Sequence, residues 1–342
     1  MTDGFVAGPN HHKPVLSVQG LKTHFLIKDA VVRAVDGVDF DVGAGEIVGL
    51  VGESGSGKTM AALSVLGLID PPGKVVSGKV LFEGQEITSR RESELRRLRG
   101  DRISMIFQDP LTTLSPTMRI GSQMMNVIHA HRRTSRSQAR EICRDALGQL
   151  GIPSPEERLD AYPHQMSGGM RQRVCIAMAM LNKPALIIAD EPTTALDVTT
   201  QAQILDEVRK LREVTKTAFI WITHDLAVVS ELADRILVMY AGQIVESGLA
   251  GQVLKMPSHP YTRGLLDSLP SANTDLRFLP QIAGSAPSLS ELSHECRFRP
   301  RCRWSTDRCA EMPDLLATPR LGQSVRCFHP VPACGDLQGE RS

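Results

Sequence analysis

Residues 46–59 read EIVGLVGESGSGKT, and no other stretch restricts the fold of this chain so narrowly. Residues 46–51 form a short apolar strand candidate, and the octapeptide Gly52-Glu53-Ser54-Gly55-Ser56-Gly57-Lys58-Thr59 matches G-x-x-x-x-G-K-[ST] at every fixed position. An apolar-patterned helix candidate over 60–68 follows at once, so the motif stands between a strand and a helix, as phosphate capture requires. Gly52, Gly55 and Gly57 permit open backbone dihedrals, and successive N–H groups can then converge on an anion. The helix beginning there adds its positive end and its unpaired N–H groups. Lys58 is placed to neutralise the outer phosphates, the Thr59 hydroxyl to coordinate Mg²⁺, and Met60 to follow them into the site.

Two further stretches supply what a phosphate-cleaving site needs. Residues 185–189 are an apolar strand candidate that ends in Asp190 and Glu191. A carboxylate at Asp190 suits a metal ion beside bound phosphates, and one at Glu191 suits the orientation or deprotonation of an attacking water. Ser167-Gly168-Gly169 precedes a helix pattern over 167–181; Ser167 can cap that helix, and the glycines leave its first N–H groups open to an anion. Taken alone this is also an ordinary capped helix start. A second anion site in one chain makes sense if it closes over a nucleotide held by another copy. Gln108 ends a strand candidate at 101–108, and His224 lies between an apolar strand and a helix, where it can project toward a terminal phosphate; taken alone, a histidine at a strand end is more often structural. Asp197 precedes a helix pattern and reads equally as its N-cap.

Around these sites, residues 1–13 read as a polar tail, and 15–26 and 31–42 alternate like antiparallel strands. A helical stretch interrupts the pattern from residue 109. Strands then alternate with helices up to a hairpin at Ala241-Gly242. That order predicts an α/β domain with a mainly parallel sheet. Beyond about residue 255 periodicity fades, and Pro, Ser and Arg rise in a C-terminal extension. The 342 residues carry 39 basic and 38 acidic side chains, which gives no electrostatic case for nucleic acid as a partner. No apolar run is long enough to span a bilayer, and the N-terminus lacks the apolar run of a secretory signal, so a cytoplasmic location is expected.

The P-loop, Gln108, Ser167-Gly168-Gly169, Asp190-Glu191, Ala195-Leu196-Asp197 and His224, in this order and spacing, resemble the nucleotide-binding subunit of ABC transporters over about residues 14–255. The resemblance implies a P-loop NTPase fold with a mainly parallel core sheet, an antiparallel β subdomain and a helical subdomain at about 109–182. It implies two such subunits with two ATP molecules between them, each held by one P-loop and the other subunit's Ser167-Gly168-Gly169 and Asp197. Thr59, Gln108 and Asp190 would hold Mg²⁺. Glu191 would be the base, with Lys58, Gln108 and His224 completing the catalytic set. The implied partners are two transmembrane permease subunits, a related second ATPase chain and an extracytoplasmic substrate-binding protein, at the cytoplasmic face of the membrane. Met170 stands where this family most often has Gln. The family's adenine-stacking aromatic is expected near residues 29–33, where there is none; Phe25 is the nearest ring, and Val31 or Arg33 are the other candidates.

The extension narrows the branch. Ser258-His259-Pro260-Tyr261-Thr262-Arg263-Gly264-Leu265-Leu266 and residues 281–287 resemble the C-terminal region of oligopeptide and dipeptide importer ATPases, a branch shared with nickel and glutathione importers. Of the seven cysteines, Cys143 and Cys175 fall in helix patterns as inert core thiols. Cys296, Cys302, Cys309 and Cys327 are spaced C-x5-C-x6-C-x17-C, which matches neither paired zinc knuckles nor the ferredoxin run. Spacing alone therefore leaves a metal centre and plain structural thiols both open. By resemblance, this region of peptide importers holds a [4Fe–4S] cluster on four cysteines, carried over here to these four, with Cys334, His294 and His329 ranked behind them. Arg297, Arg299, Arg301 and Arg303 either offset the charge of such a cluster or form a solvated basic face.

Other classes fit less well. A DNA-acting ATPase of this fold would carry a long coiled coil between P-loop and signature, and a ribosome-acting one would carry two cassettes. This chain has neither. A metal-sensing regulator is the third reading, and the intact Glu191 and His224 speak against it.

Overall fold

The computed structural model describes residues 13–331 except 29, 195, 270–279 and 321. Ala195, Cys334 and nearly all of the expected polar tail therefore lie outside the described residues.

Strands β1 (Leu16–Ile27) and β2 (Ala30–Val42) pair antiparallel, with bulges, and join β4 (Gly73–Phe82) and β5 (Gln85–Glu86) in a four-stranded sheet ordered β2-β1-β4-β5. Only residues 80–82 of β4 form an apolar run; before them Val75 and Val76 stand among Gly, Lys and Ser in a partly exposed stretch. Strand β3 (Ile47–Val51) leads into helix α1 (Lys58–Leu66), which ends at Gly67 in a left-handed cap. Helix α2 (Glu92–Leu98) precedes β6 (Ile103–Ile106), which is shorter than expected because Phe107 and Gln108 leave the sheet.

The helical part comprises α3 (Pro110–Thr113), α4 (Ile120–His129), α5 (Arg136–Gln149), α6 (Pro155–Asp160) and α7 (Gly168–Met180). Asp109 caps α3, so the Pro-Leu-Thr-Thr segment after it forms one helical turn. Met124, Ile128, Cys143, Leu147 and Cys175 are buried in a shared core. Burial pushes the Cys143 and Cys175 thiols up to about 12, which makes them inert.

The remaining core elements are β7 (Leu186–Asp190), α8 (Val198–Thr215), β8 (Ala218–Thr223), α9 (Leu226–Leu232), β9 (Arg235–Tyr240) and β10 (Gln243–Leu249). Strands β9, β3, β8, β7 and β6 run parallel in that order, as the unbroken apolar runs predict for strands covered on both faces. One face packs on α8, α9 and the helical part. The other packs on α1 and the antiparallel sheet, through Leu50, Ile188 and Ile220 against Ala61, Val65 and Val18.

The extension is built onto this core. After α10 (Ala250–Lys255) and α11 (Pro260–Asp267), the short strands β11 (Leu316–Ala317) and β12 (Ser324–Val325) continue the core sheet beyond β10, giving eight strands. Glu246 of β10 is fully buried and accepts from the N–H groups of Ser258 (2.7 Å) and His259 (2.9 Å) and from Gln323 Nε2 (2.7 Å). Burial raises its pKa, and these donors compensate, so one carboxylate fastens two distant parts of the extension, residues 258–259 and Gln323, to the sheet. Tyr261 and Phe298 enter an apolar cluster with Val51, Val238 and Tyr240.

Candidate nucleotide-binding site

Four parallel strands deliver the site from their C-terminal ends, where ligands of open α/β sheets bind. β3 ends at the P-loop, β7 ends in Asp190, β8 ends just before His224, and Gln108 lies two residues beyond β6. One cavity is lined by Gly52, Glu53, Ser54, Gly55, Gly57, Lys58, Thr59 and Met60 together with Gln108, Glu191 and His224. Ser56 is buried just behind this wall, where its carbonyl accepts from Gly242 N–H (2.8 Å). Gly52 and Gly57 have φ of 154° and 103°. At both positions a Cβ would come within 2.2 Å of a backbone carbonyl oxygen, of Met239 and Ala34 respectively. The N-cap of α1 is Gly57, which offers no side-chain acceptor, so the first N–H groups of the helix stay open to the cavity.

Lys58 is buried, and its Nζ donates to the carbonyls of Gly52 (2.8 Å) and Glu53 (2.9 Å). Burial holds its pKa below the ordinary lysine value, while the charges of Glu191, Asp190 and Glu53 pull the other way. Thr59 Oγ1 donates to Asp190 Oδ1 at 3.2 Å. Burial raises the Asp190 carboxyl, and the Thr59 hydroxyl and Lys58 oppose that rise. The hydroxyl and carboxylate oxygens of Thr59 and Asp190 form a hard-oxygen pair suited to Mg²⁺.

Glu191 is the hub of the contacts at this end of the cavity. Its Oε2 accepts from Gln108 Nε2 (3.1 Å) and Thr194 Oγ1 (3.2 Å), and its Oε1 lies 3.3 Å from His224 Nδ1. Its backbone sits at φ 45°, a left-handed conformation costing about 1–2 kcal/mol for a non-glycine residue, held by its N–H on the Ile222 carbonyl (2.9 Å). That bend turns the chain out of β7 and sends the carboxylate into the cavity. The structure thus brings Lys58, Thr59, Gln108, Asp190, Glu191 and His224 together.

Ser167, Gly168, Gly169 and Asp197 do not line this cavity. Ser167 caps α7 by accepting from Met170 N–H (3.3 Å), and Asp197 caps α8 by accepting from Thr200 N–H (2.9 Å). The two cap regions adjoin: a Cβ on Gly169 would come within 2.6 Å of Thr200 Cγ2. A Cβ on Gly168 would meet nothing within 4 Å, so that helix start is open on its outer side.

At the other end of the cavity the wall is apolar: Phe25, Val32 and Ala34, with Leu265 and Leu289 from the extension. Phe25 pairs with Val32 across β1 and β2, so the two side chains share a face. Val31 and Arg33, considered above as stacking residues, occupy the alternate positions of β2 and line a different cavity beside Lys22 and Asp36. Leu265, on α11 within the motif at 258–266, and Leu289, in a Pro/Ser-rich stretch, carry no residue signal that marks contact with this cavity. Leu289 is held beside β2 by the Arg33 N–H, which donates to its carbonyl (3.0 Å).

Cys296, Cys302, Cys309 and Cys327 line one small enclosed cavity with Phe298, Trp304 and Phe328. All four are free thiols, and burial raises Cys296 and Cys302 and pushes Cys327 up to about 12. Such thiols ionise only beside added positive charge. Among the described residues no three His, Cys, Asp or Glu side chains are spaced to hold a single metal ion. Four unpaired thiols around one enclosed space fit a multi-iron centre in their donor chemistry. His329 also lines this cavity, whereas His294 lines the one beside Lys22. The arginines do not act as a group: Arg297 pairs with Asp36, Arg299 with Glu295, and Arg301 with Glu53, while Arg303 lies over the Trp304 ring.

Residues 35–194 match the family model described as ABC transporter, and residues 245–309 match the model described as oligopeptide/dipeptide transporter, C-terminal region. The chain is 46% identical to the dipeptide transport ATP-binding protein DppD of Escherichia coli, over 94% of this chain and 98% of that one. The chain belongs to the ABC transporter ATP-binding family. This ABC ATPase is also 45% identical to the oligopeptide transport ATP-binding protein AppD of Bacillus subtilis, over 92% of this chain and 96% of that one. Among solved structures, a dimeric ATP-binding cassette in a post-hydrolysis state bound to ADP and Pi is similar with a TM-score of 0.63 and 26% identity, over 69% of this chain and 98% of that one. Among the described residues of this ABC ATPase, no helix is long and apolar enough to cross a membrane.

Proposed function

We propose that this chain is the ATP-hydrolysing subunit of an importer for di- and oligopeptides, working at the cytoplasmic face of the membrane. The observation that carries the reading is the meeting of Gln108, Glu191 and His224 at a P-loop cavity, in a chain whose extension matches the oligopeptide/dipeptide transporter region. The P-loop N–H groups and Lys58 hold the triphosphate, and Phe25 stacks on the adenine against Val32, Leu265 and Leu289. Thr59, Asp190 and the Gln108 carbonyl hold Mg²⁺, which offsets the charge of the β- and γ-phosphates when bound. Glu191 orients the attacking water and accepts its proton, and His224 fixes the carboxylate and faces the γ-phosphate.

The open α7 start at Ser167-Gly168-Gly169 and the neighbouring Asp197 meet the nucleotide of a second ATPase subunit, a related but different chain. Support comes from their position outside this chain's own cavity and from the dimeric cassette among the structural neighbours. Closure of the pair on ATP and reopening after hydrolysis drive two transmembrane permease subunits, which receive peptide from an extracytoplasmic substrate-binding protein. To test this, the gene is deleted and uptake of labelled di- and tripeptides is followed. Uptake is expected to fall at least about tenfold and to return with the unaltered gene. Normal peptide uptake with loss of nickel or glutathione uptake would reassign the cargo.

Cys296, Cys302, Cys309 and Cys327 hold a [4Fe–4S] cluster, supported by the cavity they share. When bound, it supplies the positive charge that lets buried thiols ionise and ties together the turns that carry them. Anaerobically purified protein is expected to be brown and to contain about four iron per chain. Stoichiometric zinc without iron would overturn the assignment.

A further inference from the structure

Glu53 is an acidic residue inside a loop built to hold anions, and both its backbone and its side chain are held by the C-terminal extension. Its N–H donates to Tyr261 Oη at 2.8 Å. Its carboxylate accepts two bonds from Arg301, Nη1 to Oε2 at 2.7 Å and Nη2 to Oε1 at 3.0 Å. The Arg301 side chain is only 6% exposed. Its Nη1 also donates to Tyr240 Oη (3.3 Å), and its guanidinium lies 5.8 Å from the centre of the Tyr240 ring. Tyr261 is fully buried against Tyr240 and Phe298, with ring centres 4.5 and 5.5 Å apart. Neither donor nor acceptor is free to drift, so the P-loop is gripped at its second residue by a rigid part of the extension.

The electrostatics give the grip a purpose. Glu53 lines the cavity that holds the phosphates, and an uncompensated carboxylate there would repel them. A two-pronged guanidinium cancels that charge and fixes the plane of the carboxylate. We propose that Arg301 and Tyr261 are positioning residues for ATP binding, which act through Glu53 and set nucleotide affinity from the C-terminal extension. The proposal rests on the P-loop being the ATP site. Arg301 adjoins Cys302, so the turn that carries the grip also carries one of the thiols of the cysteine cavity.

The full chain is titrated with a fluorescent ATP analogue and Mg²⁺, and its ATPase rate is measured at rising ATP. Arg301→Met is expected to weaken binding about tenfold and raise KM to match, with kcat at saturation within about twofold. Adding Glu53→Gln removes the stranded charge and is expected to restore affinity to within about threefold of the unaltered protein. Arg301→Lys, which keeps the charge but not the fork, falls between the two. Unchanged affinity in Arg301→Met, or a loss that Glu53→Gln does not relieve, overturns the proposal. If Arg301→Met does not fold, Tyr261→Phe decides: it is expected to weaken binding about threefold with an unchanged melting temperature, and unchanged affinity overturns the grip. Failure of the unaltered chain to bind the analogue would overturn the ATP-site reading and this one with it.

Discussion

Glu191→Gln is expected to bind ATP as tightly as the unaltered protein and to turn it over at least about a thousandfold more slowly. The amide fills the space of the carboxylate and keeps an oxygen for the bond from Gln108 Nε2, so the cavity keeps its shape. What it loses is the capacity to take a proton from water and the negative charge that faces His224 at 3.3 Å. In the proposed site, phosphate binding rests on Lys58 and the open N–H groups of α1, which the substitution does not touch. Phosphate release and equilibrium ATP binding, measured on one preparation, separate the two effects. Turnover within about tenfold of normal would remove Glu191 from the role of base.

Gly57→Ala is expected to abolish measurable ATP binding and to destabilise the fold. At φ 103° the backbone is one that L-residues rarely adopt, and the new Cβ would meet the Ala34 carbonyl oxygen at 2.2 Å. That oxygen belongs to β2 and has little room to yield, so the start of α1 must shift, and the phosphate-binding N–H groups shift with it. Gly55→Ala is the internal control for the strain alone. Its φ is 78°, yet its Cβ meets nothing within 4 Å, so only the dihedral cost of about 1 kcal/mol applies. Thermal unfolding should place Gly57→Ala below Gly55→Ala by about 3 kcal/mol. Equal melting temperatures would show that the loop relaxes around the clash.

The P-loop and the ends of β6, β7 and β8 are legible in the sequence because their chemistry is written in contiguous residues. A parallel strand must finish where its ligands begin, so Gln108, Asp190-Glu191 and His224 could be placed by the apolar runs before them. Phe25 could not be placed in this way. Its pairing with Val32 depends on bulges along β1, and one residue of slip sends a ring to the opposite face. The docking of the extension was illegible for another reason. Its contact with the P-loop is made by single side chains, Tyr261 and Arg301, that reach a loop more than two hundred residues earlier in the chain. The spacing of Arg297, Arg299, Arg301 and Arg303 suggests one basic face or one counter-charge, but the backbone there turns through a short 3-10 segment at Arg299–Arg301 and sends each to a different partner.

The pairing of β12 with β10 has a bearing on how the molecule is made. Residues 324 and 325 supply the neighbour of β10 in the main sheet, so during synthesis β10 emerges long before that neighbour exists. Until then a nascent chain carries a bare row of amide and carbonyl groups that another nascent chain could join. Once residues 316–325 are made, the margin of the described sheet becomes the two-residue strand β11, too short to recruit strangers.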